Sequence, residues 1–378
     1  MMKEGAVRIP SGCAIAGIVN RKGELFSGIK IWECIATMRD RSNGLGGGFG
    51  AYGIYPEYKD AYALHVLLDG TPERREFEQR LRGIFGVLHA EPMPVRNKAK
   101  VHNPPAVWRY FVTPNDWTTE EVADLDEFTA RLITQVNAVP NGAFIVSWGK
   151  NMGVFKGVGF PEDIAEFYRL EDYKGHTWTA HGRFPTNTPG WWGGAHPFGL
   201  LDLTVVHNGE ISSYDANRRY LEMFGYICSL QTDTEVITYA FDWMCRKQGL
   251  TIQEAVEVVA PPLWSEIDEL PADEAARLRN LRSNYGSLLL NGPFSIVLAC
   301  ADGFMALNDR LKLRPMVAAE SGDYLAVASE ESAIRTVFDK LDRVWSPRGG
   351  EPVWGWLYDS EPPRSILRRR GRGDCCAV

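Results

Sequence analysis

Nowhere in these 378 residues do two cysteines stand as C-x-x-C, although seven are present, at 13, 34, 228, 245, 300, 375 and 376. An odd number without that spacing argues against a zinc or iron–sulfur site and suits free thiols in a reducing cytoplasm. No uninterrupted apolar run is long enough to span a bilayer. The formal charge of -7 disfavours nucleic acid and anionic membranes as partners of the body of the chain. The first twelve residues, MMKEGAVRIPSG, have neither the apolar core of a signal peptide nor an amphipathic pattern. They read as a removable leader, and a cytoplasmic location is expected. Glycine is plentiful from Asn43 to Gly53, but no Gly-Lys-Ser/Thr and no G-x-G-x-x-G opens a helix there. A phosphate loop is therefore disfavoured, and a close-packed turn leading into a strand is expected.

The stretch Cys13-Ala14-Ile15-Ala16-Gly17-Ile18-Val19 has the small and β-branched composition of a buried strand with a cysteine at its head. Taken alone, Cys13 suits a buried core position. If the chain is cut after Gly12, Cys13 instead carries a free α-amino group with a pKa of about 7.7–8.0, able to take the proton of its own thiol. Asn20 to Gly23 has turn chemistry, so Glu24 to Ser27 is expected to return antiparallel as a hairpin. Ile31, Cys34, Ile35 and Met38 recur at helical spacing up to about Ser42. Residues 58–150 have the layout of an insertion. Strands are expected at 62–68, 107–112 and 143–148 and helices at 73–85 and 120–137, an order resembling a split β-α-β plait. The proline-rich piece from Glu91 to Pro105 reads as a surface loop.

The densest chemistry runs from His181 to Tyr214. Arg183 follows a strand-like segment at a point where a guanidinium can pair with a carboxylate in bidentate fashion, and Thr186 and Asn187 add a hydroxyl and an amide. Trp191 and Trp192 stand among glycines, where large aromatics tend to cover a pocket. Asn208-Gly209 ends another strand. An isolated Asn-Gly is usually a type I′ turn, but an Asn side chain beside a Gly N–H also makes an oxyanion hole. Thr232 and Glu235 match a capping box. Asp233 between them either complements the helix dipole or holds a substrate ammonium.

Together, Cys13-Ala14-Ile15-Ala16-Gly17, Arg183-Phe184-Pro185-Thr186-Asn187-Thr188, His207-Asn208-Gly209-Glu210-Ile211 and Thr232-Asp233-Thr234-Glu235 resemble the class II glutamine amidotransferases, which are N-terminal nucleophile hydrolases. The resemblance is nearest to the glutamine domain or subunit of glutamate synthase and N-methylglutamate synthase. It covers residues 13 to about 335, with Asn291 to Ile296 and Asn308 to Pro315 continuing the pattern. Ala14 departs from the family's usual glycine by one methyl group.

The resemblance implies an α+β fold, a four-layer αββα sandwich with the plait-like segment inserted. It also implies a catalytic set of Cys13, Asn208 and Gly209. Arg183 would bind the glutamine α-carboxylate and Asp233 its α-ammonium, with Thr186, Asn187 and Glu210 lining the site. The expected division is a leader at 1–12, an amidotransferase domain at 13–340 containing the 58–150 insertion, and a C-terminal extension at 341–378 ending in a disordered basic tail with Cys375 and Cys376. No metal and no cofactor is expected in this chain. Flavin, iron–sulfur and phosphosugar signatures of an ammonia-using domain are missing, so the expected partner is a separate synthase subunit that takes ammonia released from L-glutamine. The competing readings are a catalytically silent scaffold or regulatory subunit, and an amidohydrolase of this superfamily acting on another amide.

Overall fold

The computed structural model describes residues 12–139, 141–183 and 190–360. The leader through residue 11, Thr186 and Asn187, and the basic tail with Cys375 and Cys376 lie outside the described residues.

Ala14–Asn20 is a strand buried along its whole length. It occupies the middle of a seven-stranded antiparallel sheet ordered Arg343–Trp345, Val317–Ser321, Tyr324–Ala328, Ala14–Asn20, Thr177–Gly182, Gly47–Tyr52, Met152–Gly157. A five-stranded antiparallel sheet faces it, ordered Phe198–Leu200, Leu203–Gly209, Phe294–Cys300, Gly303–Asn308, Val353–Trp356. Successive strand side chains point to opposite faces, which divides Phe294–Cys300 between two cores. Val297 and Ala299 meet Phe304 and Ala306 in the core between the sheets. Ile296 and Leu298 join Met305 and Leu307 beneath the helices Tyr214–Glu222, Asp233–Asp242 and Ile252–Val259. Helices Ile29–Ala36, Pro161–Phe167 and Glu331–Val337 cover the seven-stranded sheet through Ile31, Ile35, Ile164, Phe167 and Ile334. The layers are thus helix, sheet, sheet, helix, the αββα sandwich that the family resemblance implies. Between the sheets the Tyr52 hydroxyl donates to Ala299 O at 2.8 Å and lies 2.8 Å from the Thr204 hydroxyl, a polar tie across a largely apolar seam.

The glycine run enters the strand Gly47–Tyr52, as its composition suggests, and the reason is space. A Cβ at Gly48 would collide with the carbonyl oxygens of Phe155 and His196. A four-stranded antiparallel sheet ordered Phe85–Pro92, Ala106–Pro114, Tyr62–Leu68, Ala143–Lys150 carries helices Thr71–Arg82 and Leu125–Ala138 on one face, through Phe77, Leu81, Ala130 and Ile133. This is the plait expected within residues 58–150, with one strand more than expected. Phe85–Pro92 lies at the sheet's edge and is largely exposed, so it lacks the apolar alternation that marks a strand. The helix expected over 120–137 is two, Asp116–Glu121 and Leu125–Ala138, each with its own side-chain cap, Asn115 and Asp124.

Two further expectations are corrected. The turn at Asn20 forms, with Gly23 N–H on Asn20 O at 2.9 Å, yet no hairpin follows. Both edges of Ala14–Asn20 are already taken, by Thr177–Gly182 and Tyr324–Ala328. Phe26–Ser27 therefore pairs with Lys174–Gly175. The sandwich also continues past residue 340. Arg343–Trp345 extends one sheet and Val353–Trp356 the other, because each sheet still has an open edge there. No helix among the described residues is long and apolar enough to cross a membrane.

Candidate active site

The antiparallel register of Ala14–Asn20 on Thr177–Gly182 begins with Ala14 opposite Gly182. One step further out stand Cys13 and Arg183, neighbours at one end of the sheet. Arg183 is anchored by its backbone, its N–H on Gly46 O at 2.9 Å and its carbonyl accepting from Ser42 Oγ at 3.0 Å. Burial lowers the affinity of its guanidinium for charge, while the nearby Cys13 and Asp233 pull the other way. Cys13 is half-buried and in no disulfide. Its carbonyl accepts from Arg41 Nε at 3.0 Å, and Arg41 pairs in turn with Glu330 at 3.0 Å.

Asn208 and Gly209 close the strand Leu203–Gly209 rather than a hairpin turn, since a helix follows and the strand pairs with Phe294–Cys300. Glu210 N–H donates to Pro293 O at 3.0 Å. Backbone N–H groups alternate in side along a strand, so that of Gly209 faces away from Phe294–Cys300, towards the side where the Phe198–Leu200 strand has already ended. Gly209 has φ +145°, and a Cβ there would overlap the Pro293 carbonyl oxygen. The position thus requires glycine for both conformation and space. The Asn208 side chain is fully buried, and its Nδ2 donates to Ser329 Oγ at 3.4 Å. Ser329 Oγ also accepts from Ile15 N–H at 3.1 Å. One hydroxyl therefore joins the strand that follows Cys13 to the side chain of Asn208.

Asp233 is the first residue of the helix Asp233–Asp242. Its carboxylate accepts from Ile211 N–H at 3.2 Å and Thr234 Oγ1 at 3.3 Å and lies 3.4 Å from His207 Nδ1. Burial alone would raise its pKa; the His207 ring and these donors outweigh that and hold it below the ordinary carboxylate value. An anion is thus kept where an ammonium can meet it. The capping box expected of Thr232 and Glu235 does not form, for Thr232 makes no side-chain cap. Glu235 turns inward and accepts from Leu230 N–H at 2.9 Å and Tyr239 OH at 3.2 Å. The capping box lies at Thr251 and Glu254 instead.

A buried polar cluster adjoins these residues. His181 and His196 stack with centroids 3.9 Å apart, and His196 Nε2 lies 3.3 Å from Thr234 Oγ1, which is 3.2 Å from His207 Nδ1. Burial pushes His181 down to about 3 and His196 well below its usual range, so both rings are neutral near pH 7. Lys156, also buried, donates to Gly193 O at 2.9 Å and Pro197 O at 3.3 Å, and burial brings it down to about 7. Burial pushes Glu235 up to about 7. Folded, this carboxyl keeps a proton that the unfolded chain loses near pH 4.5, so its stabilising share is complete below that pH and lost as pH rises to about 7. Glu235→Gln should therefore gain on the parent by on the order of 3 kcal/mol between pH 4.5 and pH 8, measured by urea unfolding at both. The histidines titrate in both proteins; Lys156 feels the Glu235 carboxylate, so its own titration shifts in the variant and adds to the difference. A constant gap between the two proteins would show that the Glu235 pKa is not raised on folding.

The structure therefore gathers Cys13, Arg183, Asn208, Gly209 and Asp233 at one end of the sandwich. Glu210 follows directly, with an exposed side chain at the rim. Thr186 and Asn187 lie outside the described residues. The two tryptophans divide: Trp192 is buried, its Nε1 on His102 O at 2.8 Å, and Trp191 is 40% exposed. Both line a cleft of about 470 Å³ with Asn103, Phe144 and Leu230. Ser329, Lys156 and His196 were not singled out by the motifs, and His207 entered one without a role. Three of the chain's seven histidines fall between 181 and 207, a concentration that marks the cluster; nothing local marks Ser329.

The sequence pattern of the family described as class-II glutamine amidotransferases matches residues 87–342. The chain belongs to the class-II glutamine amidotransferases. The matched span begins beyond Cys13, and the folded sheet brings the cysteine to it. An uncharacterized protein of Archaeoglobus fulgidus is 53% identical over 352 residues, 92% of this chain and 93% of that one. The glutamine–fructose-6-phosphate aminotransferase (isomerizing) of Aliivibrio fischeri is 30% identical over 196 residues, 50% of this amidotransferase chain but 31% of that enzyme. Among solved structures, a glutamine phosphoribosylpyrophosphate amidotransferase from B. subtilis matches 90% of this chain and 46% of its own, at 15% identity and TM-score 0.46.

Proposed function

We propose that this amidotransferase hydrolyses L-glutamine to glutamate and ammonia through a Cys13 thioester, and that it hands the ammonia to a separate glutamate-synthase-like subunit. The observation that carries the reading is a buried guanidinium beside the cysteine with a carboxylate near it: Arg183 stands next to Cys13 at the sheet end, and both Cys13 and Asp233 act on its charge. A free amino acid presents opposite charges on its α-carbon, and a guanidinium and a carboxylate at the end of the sandwich that bears the thiol match that pattern.

Once the leader is removed, the Cys13 α-amine takes the thiol proton and Sγ attacks the side-chain amide carbon of glutamine. Negative charge gathers on the amide oxygen, within reach of Asn208 Nδ2 and Gly209 N–H. The C–N bond breaks, and nitrogen leaves as ammonia with the proton held by the amine. Water then adds to the thioester, the C–S bond breaks, and glutamate departs with the thiol restored. Ammonia freed into water is largely protonated and lost as a nucleophile, which supports an acceptor subunit docked to this chain.

Intact-mass measurement should find a species beginning at Cys13. Diazo-oxo-norleucine, an electrophile shaped like glutamine, should add once, at Cys13, and stop glutamate release. A chain that keeps its leader and turns over glutamine at full rate overturns the mechanism. Co-purification from the native host tests the partner, and absence of any synthase subunit in the recovered complex overturns that part.

A further inference from the structure

We infer that Ser329 is a positioning residue for the reaction, holding the Asn208 carboxamide in register with the strand that bears Cys13. The inference rests on the reading of Asn208 as an oxyanion donor given above. The nucleophile and the oxyanion donor sit on different sheets of the sandwich, Cys13 at the head of Ala14–Asn20 and Asn208 near the end of Leu203–Gly209. Their relative position is therefore set by whatever ties the two sheets at this end.

Ser329 lies just past the strand Tyr324–Ala328 and is 3% exposed. Its backbone N–H donates to Ile15 O at 3.0 Å, and its hydroxyl accepts from Ile15 N–H at 3.1 Å, so it is clamped to the nucleophile strand two residues from Cys13. The same hydroxyl accepts from Asn208 Nδ2 across the inter-sheet gap. A serine hydroxyl has two acceptor sites, and Ile15 and Asn208 use both. Among the described residues, Asn208 Oδ1 has no hydrogen-bond partner, so the orientation of this buried carboxamide is set from its nitrogen side. One Nδ2 proton goes to Ser329, leaving the other for the developing oxyanion. Without the hydroxyl, both Nδ2 protons lose their reference to the Cys13 strand, and the carboxamide turns to satisfy its oxygen. Oxyanion stabilisation needs the donor within about 2.7–3.1 Å of the charge, so a small swing removes much of it.

The test is a double-mutant cycle on glutamine hydrolysis with Ser329→Ala and Asn208→Ala, each also followed by thermal melt. Ser329→Ala should lower kcat by about 10- to 100-fold with KM for glutamine within about 2-fold. In the Asn208→Ala background the same change should lower kcat by less than about 2-fold, because the group it positions is gone. Ser329→Cys, with a weak sulfur acceptor, should show the same pattern and decides the matter if the alanine variant does not fold. Equal losses in both backgrounds would mean that Ser329 only supports the fold, and the inference is overturned. It is overturned equally if Ser329→Ala leaves kcat unchanged or acts only on KM. Full activity in Asn208→Ala alone removes the oxyanion reading itself, whereas an inactive Asn208→Ala beside a fully active Ser329→Ala removes only the role of Ser329.

Discussion

Cys13→Ala should lose glutamine hydrolysis by at least about 10⁴-fold while its melting temperature stays within about 3 °C of the parent. The effect is large because the cysteine is asked both to attack the amide and, through its own α-amine, to move the proton. In the proposed mechanism no second nucleophile substitutes for the thioester, and Asn208 and Gly209 as oxyanion donors would stabilise charge without forming a bond. The fold loses little because Cys13 enters it through backbone: its carbonyl stays on Arg41, and pairing with Thr177–Gly182 begins only at Ala14. Initial-rate assays of glutamate release, run beside a thermal melt, give both numbers. If the variant keeps even about 1% of the parental rate, the attacking group lies elsewhere and the thioester is discarded.

Gly209→Ala should be damaging in two ways at once. At φ +145° a side chain is strained, and here the new methyl group would also strike the Pro293 carbonyl oxygen and come within 2.9 Å of Phe294 Cα. Backbone strain of about 1–3 kcal/mol and displacement of Phe294–Cys300 together should cost about 3 kcal/mol or more of stability. The displaced amide should lower kcat by a further 10²- to 10³-fold, the usual cost of one lost oxyanion donor. Gly23→Ala is the control, since Gly23 also has positive φ, at +78°, but nothing lies within 4 Å of its missing Cβ. Its cost should be strain alone, with kcat unchanged. Urea unfolding of both variants measures the difference. If Gly209→Ala proves no worse than Gly23→Ala, the strand end is not held as described, and its amide is too loosely placed to serve an oxyanion.

The residues of this candidate site were legible in the sequence because they sit in short motifs at the ends of strands and at a helix start. The strand after Cys13 was legible from composition, since a strand covered on both faces has no polar positions to show. Asn208 and Gly209 were ambiguous by themselves, and only the neighbouring motifs favoured the oxyanion reading over a turn. Where local chemistry misled, tertiary competition was the cause. The turn at Asn20 formed, but the strand edge it should have served was occupied. Thr232 and Glu235 had the spacing of a capping box, yet the Glu235 carboxylate found Leu230 N–H and Tyr239 OH in the interior. Ser329 was out of reach altogether. Its partners are 121 and 314 residues away in the chain, and no local pattern encodes contacts of that separation. The edge strand Phe85–Pro92 was missed because its exposure leaves no alternation to read.

The guanidinium groups of Arg41 and Arg314 flank Gly12, within 3.6 and 3.9 Å of where its Cβ would stand, and Arg183 is the next residue across the sheet from Cys13. An amino terminus created by cutting after Gly12 would open among these three cations, of which Arg41 is paired with Glu330, leaving an excess of positive charge. Like charges disfavour protonation, so that amine would give up its proton more readily than an ordinary chain terminus. A larger share of molecules would then stand ready to act as base in neutral solution, and the acid limb of the rate profile would lie below the pH of about 7.7–8.0 at which an ordinary terminus titrates.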